Sequence, residues 1–182
     1  VEEATQMIKG FSNEAAASGT KSQEAAGAAY QLSQALSAGT IRLMDWRSLS
    51  NAGMGNKNMQ MGLIELTEAM GEFEGTGTNA TEVQKDFTGS LEKGWLSADI
   101  MSKYLGIMAE EDANVNREKM KSLGLNDQQI EQFIKQQATA QDAAQKVRTF
   151  SQLIGTMQES MGSGWSETWE IIFGDFNEAT EL

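Results

Sequence analysis

Apolar residues recur along this chain at steps of three and four, the spacing of one face of an α-helix. Within residues 1–17, Ala4, Met7, Phe11 and Ala15 share a face. Thr20 and Gln23 form a capping-box pattern that predicts a second helix, running to Ala38. Its narrow stripe, Ala25, Ala29, Leu32 and Leu36, predicts a close helix–helix approach, and Gly39 follows as the stop. A short helix is expected from Ile41 to Leu49, ending near Gly53. From Asn58 to Phe73 the stripe Met59, Leu63, Leu66, Met70, Phe73 is strongly amphipathic. Gly75-Thr76-Gly77-Thr78 reads as a loop. Thr81 and Gln84 repeat the capping-box pattern and predict a helix to Lys93, stopped by Gly94. Two later breaks carry hydrophobic staples: Leu96 against Met101 around the cap Ser97, and Leu125 against Ile130 around the cap Asn126. A last helix is expected from Asp127 to Met161, with the stripe Ala143, Val147, Phe150, Ile154, Met157, Met161. Its glutamine-rich first half is expected to be solvated or to contact other copies.

No segment alternates apolar and polar residues long enough to predict a strand. The fold class is therefore all-α, a multi-helix domain of short and medium helices joined by glycine-containing turns. The 74–79 loop divides it into an N-terminal helical subdomain, 1–74, and a C-terminal one, 80–182, which also fit together as one domain. The chain begins at Val1 and stops at Leu182 inside a predicted helix, which reads as an internal piece of a longer protein. Leu36–Ile41 and Leu91–Leu96 are weakly similar, each a helix end, a glycine and an aliphatic residue. Helix C-termini commonly look this way, so the likeness does not establish a repeat.

Composition sharpens the picture. The chain contains no proline, which suits a mostly helical protein, and its 18 glycines supply the punctuation. It contains neither cysteine nor histidine. Disulfides, thiolate metal sites and Ser–His or Cys–His nucleophile pairs are thereby excluded within it. The formal net charge is −12. So acidic a surface repels phosphate backbones and anionic lipid, so neither nucleic-acid nor membrane binding is expected of it. No run of apolar residues is long enough to span a bilayer.

Candidate chemistry is sparse. Glu159-Ser160 has the order found at the catalytic glutamate of lytic transglycosylases, but no Gly-Leu-Met-Gln segment follows it, and the polar face of a helix accounts for Glu159. Asp175-Phe176-Asn177 opens like a calcium loop and then fails, with Ala179 and Thr180 where a ligand and a glycine belong; Asp175 reads as a helix cap. Glu110-Glu111-Asp112 reads as a solvated helix end. Gly162-Ser163-Gly164 lacks the lysine and hydroxyl residue of a phosphate loop. No catalytic, cofactor-binding or metal-binding residue is expected. Trp46, Trp95, Trp165 and Trp169 all lie at helix starts or breaks, where large aromatics plug junctions. The methionines fall mostly on the stripes and read as core filler. The expected structural residues are Gly39, Trp46, Gly94, Trp95, Leu96, Leu125, Gly164, Trp165 and Trp169.

Three segments, taken in order, carry a family resemblance. Gln31-Leu32-Ser33-Gln34-Ala35-Leu36-Ser37-Ala38-Gly39 is followed by Leu49 and Ala52-Gly53. Ser90-Leu91 precedes Gly94-Trp95-Leu96 and Asp99. The stretch from Thr149-Phe150 to Phe176 ends with Trp165 and Trp169 around a Gly-Ser-Gly break. From about Gly19 to Leu182 the chain resembles the helical region near the front of the tail tape-measure proteins of bacteriophages and prophages. The resemblance implies a virion structural protein, not an enzyme, without cofactors. It implies a location in the tail lumen, and in the host bacterial cytoplasm during assembly. The implied partners are the tail-tube protein, tail-assembly chaperones, baseplate or tail-tip proteins, and other copies of the chain. The long coiled ruler of such proteins is missing here. Two rival readings are an acidic helical adaptor or effector of a bacterium and a peptidoglycan-degrading tail enzyme.

Overall fold

The computed structural model describes residues 2–147 and Thr156. Among them are nine α-helices and one short 3-10 turn: α1 Glu2–Ala17, α2 Ser22–Ala38, α3 Leu43–Asn51, α4 Lys57–Ala69, α5 Ala80–Lys85, α6 Phe87–Ser90, the 3-10 turn Leu91–Lys93, α7 Ala98–Ala109, α8 Ala113–Ser122 and α9 Asp127–Val147. The described fold is all-α, as the periodicity predicts, and no described helix is long and apolar enough to cross a membrane. Gly164, Trp165, Trp169 and the motifs around Glu159 and Asp175 lie outside the described residues.

The centre of the molecule is α1, packed chiefly against α7 and then α9. Its expected apolar face is buried at Met7, Phe11 and Ala15, but Ile8, Gly10, Ser12, Asn13 and Glu14 are buried as well. Far from being a surface helix with one apolar side, α1 is enclosed over most of its length. A Cβ on Gly10 would lie 1.9 Å from the Leu105 carbonyl oxygen, so glycine alone lets α1 and α7 approach this closely. The small-residue stripe of α2 is buried as expected, while this tightest approach belongs to α1. Two amides close the C-terminal end of α7: Asn13 Nδ2 donates to the Met108 carbonyl at 2.7 Å, and Asn116 Nδ2 to that of Ile107 at 3.0 Å. They satisfy carbonyls that a helix leaves unpaired at its end.

Three expected helix starts and one expected face are corrected. The second helix starts at Ser22, and Lys21, not Thr20, precedes it without a side-chain cap. Thr20 is committed elsewhere, its N–H donating to the Ala15 carbonyl at 2.9 Å to close α1. The 81–93 segment is not one helix and is not capped by Thr81. Asn79 caps α5, its Oδ1 accepting from Glu82 N at 3.0 Å, and the chain breaks again at Asp86. The Asp86 carboxylate then accepts from Gly89 N at 3.1 Å and opens α6. The short helix is shifted to Leu43–Asn51, where Asp45 Oδ2 reaches back to accept the Arg42 N–H at 2.8 Å. Finally, the first half of α9 is no solvated face. Ile130, Phe133, Gln137 and Ala140 are buried, a stripe hidden by the glutamines between them.

The two similar turns meet. Gly39 and Gly94 both adopt left-handed conformations, with φ of 92° and 68°. Thr40 and Ser97 form an antiparallel bridge, with Ile41 N donating to the Leu96 carbonyl at 2.8 Å and Ala98 N to that of Gly39 at 2.9 Å. Buried residues from both sides of the 75–78 loop belong to one core that extends from Met7 to Ala140.

Candidate functional site

Between α1, α4 and α9 lies a cleft of about 530 Å³. α1 contributes Glu14 and Ala17, α4 contributes Asn58, Met61, Gly62 and Glu65, and α9 contributes residues from Gln132 to Ala140. Gly62 sets the depth. A Cβ there would lie 2.7 Å from Tyr104 Cε2 and 3.1 Å from Phe133 Cε1, so glycine lets α4 settle onto these rings. The rings meet edge to face, with centroids 6.2 Å apart.

Glu14 is the most unusual residue of the cleft, a carboxylate only 3% exposed on the central helix. Tyr104 on α7 donates its hydroxyl hydrogen to Glu14 Oε1 at 2.7 Å, and Gln136 Nε2 on α9 donates to the same hydroxyl at 3.0 Å. Burial raises the Glu14 carboxyl above its ordinary value, and the Tyr104 hydrogen bond only partly counters this. Tyr104 is pushed well up by burial first, then by the neighbouring Glu14 charge. Half-buried Glu65 is raised too, by desolvation and then by repulsion from Glu68. The cleft thus holds two carboxylates in surroundings that disfavour their charge, among carboxamide side chains.

The expected structural residues lie elsewhere. Trp46 and Trp95 are both 1% exposed and both pack against Phe87, with centroids at 4.5 and 5.6 Å. Phe73 lies against Trp95 at 5.1 Å. The Trp95 indole N–H donates to Ser90 Oγ at 2.9 Å. Gly39 and Leu96 are brought side by side by the bridge, while Leu125 lies apart at the α8–α9 turn. Leu96, Met101, Leu125 and Ile130 are all buried. The caps form as expected: Ser97 Oγ accepts from Ile100 N at 3.1 Å, and Asn126 and Gln129 cap one another's N–H groups at 2.9 and 3.0 Å.

Glu110-Glu111-Asp112 forms the connection between α7 and α8. Asp112 caps α8, and Glu111 pairs with Lys9 at 3.4 Å. Among the described residues no acidic cluster has the makings of a metal site. The sequence reading missed Glu14, Glu65, Tyr104 and Gln136. The available signal for Glu14 was its place between Phe11 and Ala15, on the apolar side of a short helix. Comparison with protein-family models, curated proteins and solved structures returns no match.

Proposed function

We infer that this chain is a segment of a phage or prophage tail tape-measure protein, a virion structural component acting in tail assembly, tail-length determination and DNA ejection. The observation that carries the reading is the ordered series of turns that resembles that family's, from Gln31–Gly39 through Ala52-Gly53 to Gly94-Trp95-Leu96 and Asp99. The described helices add support, since two of these turns pair with each other, and Trp95 of one of them packs on the same phenylalanine as Trp46 of the helix that follows the other. An extended helix advances about 1.5 Å per residue, and helices folded back on one another advance far less. The segment therefore serves assembly and ejection by docking to tail-tube, chaperone or tail-tip proteins, and the measuring length lies elsewhere in the protein. Its negative charge suits a lumen protein that leaves ahead of DNA without adhering to it.

The test is genetic, in a phage carrying this protein. Trp95→Ala should lower the yield of infectious particles and leave assembled tails at normal length. Tails that shorten in proportion to deletions within 20–182 would make this segment part of the ruler. A protein absent from purified virions and from assembly intermediates would overturn the reading altogether.

A further inference from the structure

We propose that the cleft between α1, α4 and α9 binds a primary alkylammonium group, its cation held by the carboxylates of Glu14 and Glu65 and its aliphatic chain lying on Ala17, Met61 and Ala140. This stands apart from the tape-measure reading and does not depend on it.

The chemistry of the lining decides the class of ligand. Among the described residues, the lining carries two carboxylates and a single cation, Lys135, which is exposed and forms no ion pair with another of them. An anion would meet net negative charge. A sugar would seek an exposed aromatic face, and the one ring among the described lining residues, Phe133, is 2% exposed. A cation removes the cost that burial imposes on both carboxylates. The side chains of Glu65, Asn58 and Gln132 make no hydrogen bond to another described residue, so their capacity is open to a ligand's N–H groups. The site is also built: Tyr104 donates to Glu14 and is itself held by Gln136, so the carboxylate is oriented before any ligand arrives.

Among the described residues, the charged and titratable groups of the lining are Glu14 of α1, Glu65 of α4 and Lys135 of α9, with Tyr104 of α7 acting on Glu14 and Glu68 of α4 on Glu65. Both lining carboxyls are raised, so binding strengthens as the pH rises through their raised values and is lost as it falls through them. Binding takes up no proton and releases one wherever a carboxyl is still protonated.

Isothermal titration of the 182-residue chain with diaminopentane and with N-acetyl-lysine amide, at low salt, tests the proposal. Saturable binding is expected, weakened roughly fivefold or more by Glu14→Gln and by Glu65→Gln. Glu65→Gln sits at a half-buried position and keeps the test informative if Glu14→Gln disturbs the core. Glu82→Gln, on the exposed side of α5, should leave the affinity unchanged. Tighter binding of diaminopentane assigns the site to a free polyamine, and equal binding assigns it to a lysine side chain of a partner. No saturable binding of either compound, or an equal loss in Glu82→Gln, overturns the proposal.

Discussion

Two glycines in helices make opposite demands. At Gly10 an added methyl meets the backbone of Leu105, which cannot move without separating α1 from α7. Gly10→Ala should lose at least about 1–3 kcal/mol, the usual cost of overpacking, seen as a lower urea midpoint. At Gly27 an added methyl meets nothing within 4 Å, and the position is exposed within α2. Gly27→Ala should gain about 0.5–1 kcal/mol in the same titration, by removing the entropic cost of a mid-helix glycine. Glu14 makes a third residue-scale demand, through pH. Its carboxyl is raised in the folded state, so the folded protein holds that proton more tightly than the unfolded chain. The contribution to stability is complete below about 4.5 and is lost as the pH rises through the raised value. Relative to the native protein, Glu14→Gln should therefore be more favourable near pH 7 than at pH 4, with denaturant midpoints measured at both. A constant difference across that range would mean that Glu14 is not desolvated.

The lesson at the scale of elements concerns where a helix begins. Two side chains near the start of α5 compete for the role of cap, and the backbone at Asn79, extended at φ −152° and ψ 172°, selects Asn79 over Thr81. Asn79→Ala should cost about 0.5–2 kcal/mol, while Thr81→Ala, at an exposed position inside the first turn, should stay within about 0.5 kcal/mol. Leu125, at the α8–α9 turn, is the stronger constraint. Leu125 is 4% exposed against the core, so Leu125→Ala should lose about 2–5 kcal/mol in thermal or chemical unfolding. Amphipathic stripes, glycine stops and two of the staple caps were legible in the sequence because each depends on neighbours three to five residues away. The start of α2 was not, because Thr20 was drawn into closing α1. The break at Asp86 was not, because a carboxylate that caps and one that decorates a helix look alike until the backbone turns. The cleft was the least legible feature, since Glu14, Glu65 and Gln136 come together only through tertiary packing.

For the whole molecule, what matters is that the first helix is the innermost one. Its neighbours α7 and α9 lie about 90 or more residues further along the chain, so the core is completed only after most of the sequence is present. Contacts of such separation slow folding relative to a simple helical bundle. Backbone amides of α1 and α7 should be the slowest to exchange with solvent, and those around Gly71–Gly77 among the fastest, in a hydrogen-exchange experiment. The charge acts at this scale too. With Asp and Glu outnumbering Lys and Arg by 26 to 14, like charges repel across the compact state, and added salt should raise the melting temperature.

The bridge between Thr40 and Ser97 has a mechanical consequence. It ties two points of the chain together by two backbone hydrogen bonds and closes everything between them, α3 to α6, into a loop with pinned ends. Tension applied along the chain passes through that pin, and the loop carries none while the pin holds. Once α1 is drawn from beneath α7, the bridge and the packing of α2 on α7 still shield the loop. Rupture of both exposes the loop to the load, and its full unravelling frees roughly 190 Å of chain at the extended reach of a polypeptide. The fold would then pay out its length as a ratchet does, in a large discrete increment and not as a smooth thread.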